Sequence, residues 1–376
     1  MHAGKSLLLR GSLCLSILLS FSTVTAQVAD QLQKKPYKID TLVQSLDSPW
    51  SLAFLPNGDY LITELGGKLR RVKDGKLLEQ AINGVPAVYY AGQGGLFDVV
   101  VDREFASNQK IYLSFAFGDA NGNATRLISA RLLDDSLVDI KVLFTAKPLK
   151  QTPHHYGGRV VQLSDGTLLL TVGDGFNYRE QAQKLNSHLG KIIRINQDGK
   201  APADNPWAND GNALPQIWSI GHRNEQALVL TPNGIVFENE HGPRGGDEIN
   251  IIRAASNYGW PVITQGIDYN GASITPYTEY AGMQQPLVSW TPSIAPAGMT
   301  YYTGSQFPEW QGDLLVVSLA QKSVRRIDLD GESVKTDERL FPELNQRMRD
   351  IRTGPDGSIY ILSDGANGQL LRISTN

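Results

Sequence analysis

SLAFLPNGDYLITE (51–64) is the first of four segments that share one pattern: an apolar run, a Pro/Ser-Asn/Asp-Gly turn and a second apolar run. The other three are VVQLSDGTLLLTVGD (160–174), ALVLTPNGIVFENEHG (227–242) and DIRTGPDGSIYILSDG (350–365). Each predicts a β-hairpin, because Asn-Gly and Asp-Gly supply the positive φ that a tight turn requires. Recurrence of one hairpin along a whole chain is typical of radial or stacked β architectures.

Two further segments, NQKIYLSFAF (108–117) and EWQGDLLVVSLA (309–320), follow the pattern more loosely. The spacings of the six turns are uneven, but six units over about 350 residues average about 58 residues each, which suits a four-stranded propeller blade with its loops. The sequence therefore predicts an all-β fold, a six-bladed β-propeller of four-stranded antiparallel blades. A pair of β-sandwiches also explains the alternation of apolar and polar residues, but it does not explain the recurrence of one hairpin. The six turns lie near Gly58, Asn108, Gly166, Gly234, Gly312 and Gly357.

The first 26 residues have the features of a secretory signal peptide. Lys5 and Arg10 precede the apolar stretch 11–24, and Val24-Thr25-Ala26 resembles a small-residue cleavage site. The stretch is shorter than the roughly 20 apolar residues of a membrane-spanning helix, which argues against an anchor. A lipoprotein signal at Cys14 is also disfavoured, because the apolar run continues past it. We expect export to the periplasm, cleavage near Ala26, no integral membrane segment, and one propeller domain over residues 27–376.

Composition excludes several classes of function. Cys14 is the single cysteine, so a chain cleaved near Ala26 has no disulfide, no thiolate nucleophile and no cysteine metal site. The net charge of −3 becomes −5 on cleavage, because residues 1–26 contain two basic and no acidic residues. This charge gives no support for binding to nucleic acid or to an anionic membrane surface.

Common catalytic motifs are also missing from the sequence. The five histidines beyond the leader lie between residues 154 and 241, but none has HExxH or HxH spacing, which argues against a zinc site. GxSxG, Walker and GxGxxG motifs are absent, so the usual glycine-loop nucleotide sites are disfavoured.

Seven segments of the chain are the most specific: GQGGLFDV (92–99), HHYGGRVVQLSDGTLLLTVGDG (154–175), GHRNEQ (221–226), EHGPRGGDEIN (240–250), NYGWP (257–261), SIAPAGMTYY (293–302) and RMRDIRTGPDG (347–357). Taken together, they resemble the soluble pyrroloquinoline-quinone (PQQ) sugar dehydrogenases, in particular their aldose sugar dehydrogenase branch. The similarity covers nearly all of residues 40–374. It implies a six-bladed propeller with PQQ and Ca²⁺ at the channel mouth. It also implies oxidation of the anomeric carbon of aldose mono- or oligosaccharides to lactones, with electrons passed to a quinone or other acceptor.

The resemblance assigns the catalytic pair to two residues. In HHYGGR the family's general base falls on His155, and an imidazole suits that role because its pKa lies near neutral pH. Asp174 matches the acid that hydrogen-bonds this histidine and fixes its tautomer. The alternatives are a histidine satisfied within the fold and an Asx-turn aspartate in a Gly-Asp-Gly corner. His154 occupies the place of an acid in the glucose-specific branch, and we assign it no catalytic role.

The resemblance also implies a set of PQQ-binding residues. Arginine forks bind carboxylates bidentately, which suits a cofactor with three carboxylates, although Arg-x-Arg on a strand is also typical of a solvated face. The glucose-specific branch has a cofactor lysine where this chain has Ala320; Lys322 lies two residues on and is a candidate substitute. This departure argues against strict glucose specificity. The set is Gln93, Arg223, Asn224, Tyr269, Ser318, Leu319, Ala320, Arg347 and Arg349.

The resemblance also implies two calcium sites. The carbonyls of Gly242 and Pro243 match ligands of the Ca²⁺ that contacts PQQ. Glu248 and the carbonyl of Tyr258 match a second, structural Ca²⁺ site. Calcium accepts carbonyl and carboxylate oxygens. Without the resemblance, residues 242–248 are an acidic, turn-rich loop.

Two other functions remain as alternatives. A propeller can serve as a binding module with a degenerate site, because fold does not determine function. The coexistence of His155, Asp174, Arg223, Arg347 and Arg349 favours an enzyme. A metal-dependent lactonase needs carboxylate and Asn ligands that point into the channel, and no motif matches such a set.

Overall fold

The computed structural model describes residues 36–376, and nearly all its regular elements are β-strands. One helical turn, Phe105–Asn108 (α1), and three 3₁₀ turns, Arg179–Gln183, Pro308–Trp310 and Pro342–Leu344, lie in the loops. No helix in the described part is long and apolar enough to span a membrane. The strands are Tyr37–Leu46 (β1), Pro49–Phe54 (β2), Tyr60–Glu64 (β3), Lys68–Lys73 (β4), Lys76–Leu77 (β5), Leu96–Val101 (β6), Lys110–Gly118 (β7), Asn123–Leu133 (β8), Ser136–Thr145 (β9), Val160–Gln162 (β10), Leu168–Val172 (β11), Lys191–Ile195 (β12), Ile217–Ile220 (β13), Glu225–Leu230 (β14), Val236–Glu240 (β15), Asp247–Ile252 (β16), Val288–Trp290 (β17), Pro296–Tyr301 (β18), Leu314–Ser318 (β19), Val324–Asp330 (β20), Ser333–Leu340 (β21), Met348–Thr353 (β22), Ile359–Ser363 (β23) and Gly368–Thr375 (β24).

The strands form six four-stranded antiparallel sheets, which confirms the predicted six-bladed propeller. Blades 1 to 5 are β2–β5, β6–β9, β10–β13, β14–β17 and β18–β21. Blade 6 consists of β22, β23 and β24, with the N-terminal strand β1 paired to β24. Each of the six turns predicted from the sequence lies between the first and second strands of one blade. The pair of β-sandwiches is therefore the wrong alternative.

The turn at Gly58 shows why these hairpins need their glycine. Gly58 has a φ of 89°, and its N–H donates to the carbonyl of Leu55 at 3.0 Å. No heavy atom lies within 4 Å of the place where a Cβ would stand. The requirement is therefore conformational rather than steric, as the Asn-Gly signal predicts.

The core consists of apolar layers between neighbouring blades. At the seam where the ring closes, Val43 and Leu46 of β1 pack with Leu52 and Ile62 of blade 1 and with Leu370 of blade 6. The N-terminal strand therefore joins the last blade to the first, and its buried side chains connect the two ends of the chain.

We expect Leu46→Ala to lower the free energy of unfolding by about 2–5 kcal/mol, the usual cost of a large-to-small change in a packed core. Leu46 is 0% exposed. Urea denaturation followed by tryptophan fluorescence measures the change. Gln44→Ala, at an exposed position of the same strand, is the matched control and leaves the midpoint unchanged. Equal midpoints for both variants would contradict a role of the β1 seam in stability.

The blade topology also determines where a site can form. In every blade the first strand begins and the second strand ends at one end of the propeller, and the tight turns lie at the other end. Residues just before a first strand or just after a second strand therefore converge from all six blades.

Candidate functional site

A cavity of about 500 Å³, here called the central cavity, lies at that end of the propeller. All six blades contribute to its wall, and five of the predicted cofactor residues lie on it. Its wall combines the arginines Arg347 and Arg349 with amide and aromatic side chains. Its wall includes Trp50, Tyr90, Gln93, Phe97, Tyr156, Asn224, Gln226, His241, Leu319, Arg347, Arg349 and Asp364.

A second cavity of about 330 Å³, here called the histidine cavity, contains the predicted catalytic pair. A hydrogen bond links the two cavities: the backbone N–H of His155 donates to Oε1 of Gln93 at 2.8 Å. The predicted residues Asp174, Arg223, Pro243 and Tyr269 line the histidine cavity with His155, together with Phe176 and Trp260.

His155 and Asp174 form a buried hydrogen-bonded pair. Nδ1 of His155 lies 2.7 Å from Oδ1 of Asp174. The same carboxylate accepts the backbone N–H of Phe176 at 2.7 Å through Oδ1, and the indole N–H of Trp260 at 2.7 Å through Oδ2. Asp174 therefore is an Asx-turn residue and also the partner of the histidine, so the two sequence interpretations describe one arrangement.

Burial and charge determine the protonation of this pair. Burial lowers the pKa of His155 below its ordinary value and outweighs the opposing attraction of Asp174. For Asp174, burial acts to raise the pKa, but His155, Arg223 and the Phe176 N–H together lower it below the ordinary range. The pair therefore holds a neutral imidazole beside a carboxylate near neutral pH.

Arg223 lines the histidine cavity and reaches the predicted calcium loop. Its Nη1 donates to the carbonyls of His241 and Gly242 at 2.9 and 2.7 Å, and its Nη2 contacts the hydroxyl of Tyr269 at 3.3 Å. The guanidinium carbon is 5.2 Å from the ring centre of Trp260, within range of a cation–π contact. The Gly242 carbonyl retains a second lone pair, so the carbonyl can accept Arg223 and a cation together.

Asp364 orients the two arginines of the central cavity. Oδ2 of Asp364 accepts Nε of Arg347 at 2.8 Å, and Oδ1 accepts Nη2 of Arg349 at 3.0 Å. Arg349 also donates to Oε1 of Gln226 at 3.3 Å. Burial acts to raise the pKa of Asp364, but the arginines outweigh it and lower that pKa. Each guanidinium has further N–H groups for a carboxylate ligand, since it carries five donors.

Of the three residues Ser318–Ala320, Leu319 alone lines the central cavity. Leu319 lines the central cavity, and its carbonyl accepts Nη1 of Arg347 at 3.4 Å. Ser318 is buried, and its hydroxyl donates to the carbonyl of Ser323 at 2.8 Å. Ala320 is exposed and is not among the residues that line the cavity. Lys322 is also exposed and lies outside this wall, so its placement gives no support for a cofactor lysine.

The predicted second calcium site surrounds a small void. Glu240, Glu248, Gly242 and Tyr258 line a cavity of about 10 Å³, which is the size of one water molecule or ion. Burial, and then the charge of Glu240, raise the pKa of Glu248 to about 8. A divalent cation in this void would favour the ionised carboxylate, so the donor set fits Ca²⁺.

Sequence reasoning did not assign four residues that shape the site. Trp260 and Gln226 lie inside the NYGWP and GHRNEQ motifs, so the motifs contained them without indicating a role. Asp364 directly follows the second strand of blade 6. Phe176 had no sequence signal. Its ring packs edge-on against the ring of His155, with 5.0 Å between the ring centres. The backbone φ of Phe176 is 67°, which is unusual for a bulky residue.

The chain matches the model of the Glucose / Sorbosone dehydrogenase family over residues 46–372. It is 41% identical over 343 residues to the aldose sugar dehydrogenase YliI of Escherichia coli, covering 89% of this chain and 92% of the relative. It is 26% identical over 450 residues to quinoprotein glucose dehydrogenase B of Acinetobacter calcoaceticus, covering 97% and 94% of the two chains.

Solved structures agree with this match. The crystal structure of the soluble aldose sugar dehydrogenase of E. coli in its apo-form has a TM-score of 0.87 at 40% identity, over 90% of this chain and all of that one. The PQQ-bound aldose sugar dehydrogenase of Streptomyces coelicolor shares the fold, with a TM-score of 0.73 at 23% identity over 90% and 98% of the two chains. These matches confirm the resemblance seen in the motifs, and the chain belongs to the Glucose / Sorbosone dehydrogenase family of soluble PQQ-type sugar dehydrogenases.

Proposed function

We propose that this protein is a PQQ- and Ca²⁺-dependent aldose dehydrogenase that oxidises the anomeric carbon of aldoses to lactones and passes electrons to a quinone or other acceptor. The observation that carries the proposal is the buried His155–Asp174 pair beside an arginine-lined cavity. The names of the relatives support sugar oxidation, and the quinoprotein among them supports PQQ.

The central cavity has the donor set that PQQ requires. Arg347, Arg349, Gln93 and Asn224 would hold carboxylate and carbonyl oxygens. Arg223 lines the adjacent histidine cavity, and its Nε is buried without a hydrogen-bond partner among the described residues. The carbonyls of Gly242 and Pro243 would hold the Ca²⁺ next to the cofactor. When bound, PQQ supplies a two-electron quinone acceptor for the hydride of the anomeric carbon.

His155 supplies the proton acceptor for the sugar. With its Nδ1–H donated to Asp174, the neutral ring leaves Nε2 as the acceptor nitrogen. Nε2 takes the proton of the anomeric hydroxyl while the carbon loses its hydride. Asp174 holds the tautomer and stabilises the imidazolium that forms, and Trp260 holds Asp174 from the other side.

The pKa of His155 predicts the pH dependence. Only the neutral ring accepts a proton, and burial lowers its pKa below the ordinary 6.5. Activity should therefore rise with pH through a midpoint below 6.5 and be complete at neutral pH. A profile of kcat/KM against pH with a saturating dye acceptor measures this midpoint. A midpoint above 7 would contradict the role of the buried neutral imidazole.

The two cavity arginines predict the cofactor affinity. We expect Arg349→Met to weaken PQQ binding by about 10- to 100-fold, the effect of losing one charge-assisted hydrogen-bonded pair. Fluorescence titration with PQQ in the presence of Ca²⁺ measures the change. Arg131→Met is the matched control, because Arg131 forms an exposed ion pair with Asp139 in blade 2. Equal PQQ affinities in the two variants would contradict the assignment of Arg349 to the cofactor site.

We also propose that the protein works in the periplasm after cleavage near Ala26. The predicted signal peptide, residues 1–26, lies outside the described residues. Mass spectrometry of the protein recovered from a periplasmic fraction tests the proposal. An intact N-terminus in the cytoplasmic fraction would contradict it.

The direct test of activity is dye reduction by the purified chain with PQQ, Ca²⁺ and a panel of mono- and oligosaccharide aldoses. We expect turnover that requires both PQQ and an aldose. Tight PQQ binding with no turnover on any aldose would instead favour the binding-module alternative.

A further inference from the structure

An acidic cluster lies on the face of blade 4 that packs against blade 3, and the proposed reaction does not use it. Glu225 pairs with Glu240, and Glu240 with Glu248, in the strand registers. Glu238 precedes Glu240 by two residues on β15, so it points to the same face. Glu225 and Glu238 are 0% exposed and Glu240 is 4% exposed.

The described cationic side chains do not pair with these carboxylates. Nζ of Lys191 donates to three carbonyls, those of Gln181, Ala182 and Leu189, at 2.7–2.9 Å. The guanidinium of Arg223 donates to the carbonyls of the calcium loop and to Tyr269. The cluster therefore gathers several carboxyl groups in one buried layer without a directly bound counter-charge.

The side-chain amide of Asn250 is the hydrogen-bond donor for three of the four carboxylates. Nδ2 of Asn250 lies 3.2 Å from Glu238, 3.4 Å from Glu240 and 3.3 Å from Glu248, so its two hydrogens are shared among three carboxylates. Oε1 of Glu238 and both carboxylate oxygens of Glu225 are buried and have no hydrogen-bond partner among the described residues. Buried carboxylates in this condition require a further partner.

His222 points an unpartnered nitrogen at the same place. The ring is 0% exposed and stacks on Tyr258 at 4.7 Å. Its Nε2 lies 2.8 Å from the hydroxyl of Ser219, while Nδ1 has no hydrogen bond and lies 3.5 Å from Oε1 of Glu240. In the tautomer that donates Nε2–H to Ser219, the Nδ1 lone pair faces a carboxylate oxygen of Glu240, an arrangement that a cation between them would stabilise. A metal-binding histidine usually has its other nitrogen bonded in this way.

We propose that Nδ1 of His222, Glu238 and Glu240 bind a divalent transition-metal ion, Mn²⁺ or Zn²⁺, between blades 3 and 4. Their ligand atoms all lie within 4.8 Å of one another, close enough to share one ion. The mixed nitrogen and carboxylate donors select this class, since Ca²⁺ takes oxygen ligands whereas imidazole suits transition metals.

This site is separate from the calcium site assigned to Glu248 and the Tyr258 carbonyl. Neither His222 nor Glu238 lines the small void beside Glu248. Glu240 lies between the two sites: its Oε1 faces His222, and its Oε2 accepts the backbone N–H of Arg223. The ion would connect His222, which precedes the first strand of blade 4, to the second strand of that blade. His222 is the chain neighbour of Arg223.

Metal retention by the full chain tests the proposal without any activity measurement. The protein is stripped with a strong chelator, incubated with MnCl₂, ZnCl₂ or CaCl₂, desalted, and its metal content measured by mass spectrometry. We expect the wild type to retain one Mn²⁺ or Zn²⁺. The variants Glu238→Gln and His222→Gln should bind that ion about 10- to 100-fold more weakly. Glu248→Gln is the matched control: it retains the transition metal while losing Ca²⁺.

Three results would overturn the proposal: no retained Mn²⁺ or Zn²⁺, retention of Ca²⁺ alone, or equal retention by Glu238→Gln, His222→Gln and the wild type. A second measurement covers variants that fail to fold. Co²⁺ added to the stripped wild type should give visible absorption bands of nitrogen and oxygen coordination, which Zn²⁺ abolishes by competition. Absence of these bands would also overturn the proposal.

Discussion

His155→Gln is expected to lower kcat for aldose oxidation by about 10²- to 10⁴-fold, the usual contribution of a positioned general base. The reason is that the neutral imidazole beside Asp174 is the proton acceptor for the anomeric hydroxyl. PQQ affinity should stay unchanged, because the arginines of the central cavity remain in place. Steady-state dye reduction measures kcat, and fluorescence titration measures PQQ binding.

The backbone of residue 155 sets the control for this experiment. His155 has a φ of 50°, a conformation that asparagine adopts more readily than most residues. His155→Asn should therefore lose the same activity as His155→Gln, with less effect on stability. Near-wild-type turnover in either variant would contradict the assignment of the base. A parallel loss of PQQ affinity would point to a binding role instead.

Asp174→Asn is expected to cost about 10²- to 10⁴-fold in kcat, because it removes the tautomer control of the base. Both oxygens of Asp174 accept hydrogen bonds: Oδ1 from Phe176 and His155, and Oδ2 from the indole N–H of Trp260. An asparagine amide must turn its NH₂ group toward one of these donors. If it faces His155, the ring takes the wrong tautomer; if it faces Trp260, two buried donors oppose each other.

A double variant separates these two cases. Trp260→Phe removes the indole donor, so the NH₂ group of the introduced asparagine can turn toward the phenylalanine and leave the amide oxygen to accept from His155. Activity of Asp174→Asn/Trp260→Phe should therefore exceed that of Asp174→Asn alone, a positive coupling in a double-mutant cycle. Rates that multiply independently would show that Trp260 does not position the acid. Near-ultraviolet circular dichroism checks that each variant folds.

The fold was predictable because its signal is local and repeated. Each Asn-Gly or Asp-Gly turn specifies one hairpin by itself, and six turns at propeller spacing specify six blades. The closing strand was not predicted: Tyr37–Leu46 has no turn signal, and its place beside β24 depends on contacts with residues more than 300 positions away.

Only those site residues that match a family motif could be predicted from the sequence. The family resemblance predicted that Asp174 is the hydrogen-bond partner of His155, and in the structure Nδ1 of His155 lies 2.7 Å from Oδ1 of Asp174. The roles of Trp260 and Asp364 depend on contacts across blades or strands, such as the indole of Trp260 with Asp174, 86 positions away. The His222 cluster shows the same limit, because it combines residues of β15 with a loop histidine whose spacing matches no metal motif.

The central claim is that the chain holds PQQ in the arginine-lined cavity and reduces it with an aldose at His155. The most direct measurement is the absorption spectrum of the purified protein with stoichiometric PQQ and Ca²⁺, before and after an aldose is added without any acceptor. The account predicts that the quinone absorption bleaches in a single turnover in the wild type and persists in His155→Gln. Persistence in the wild type with every aldose, despite bound PQQ, would contradict it.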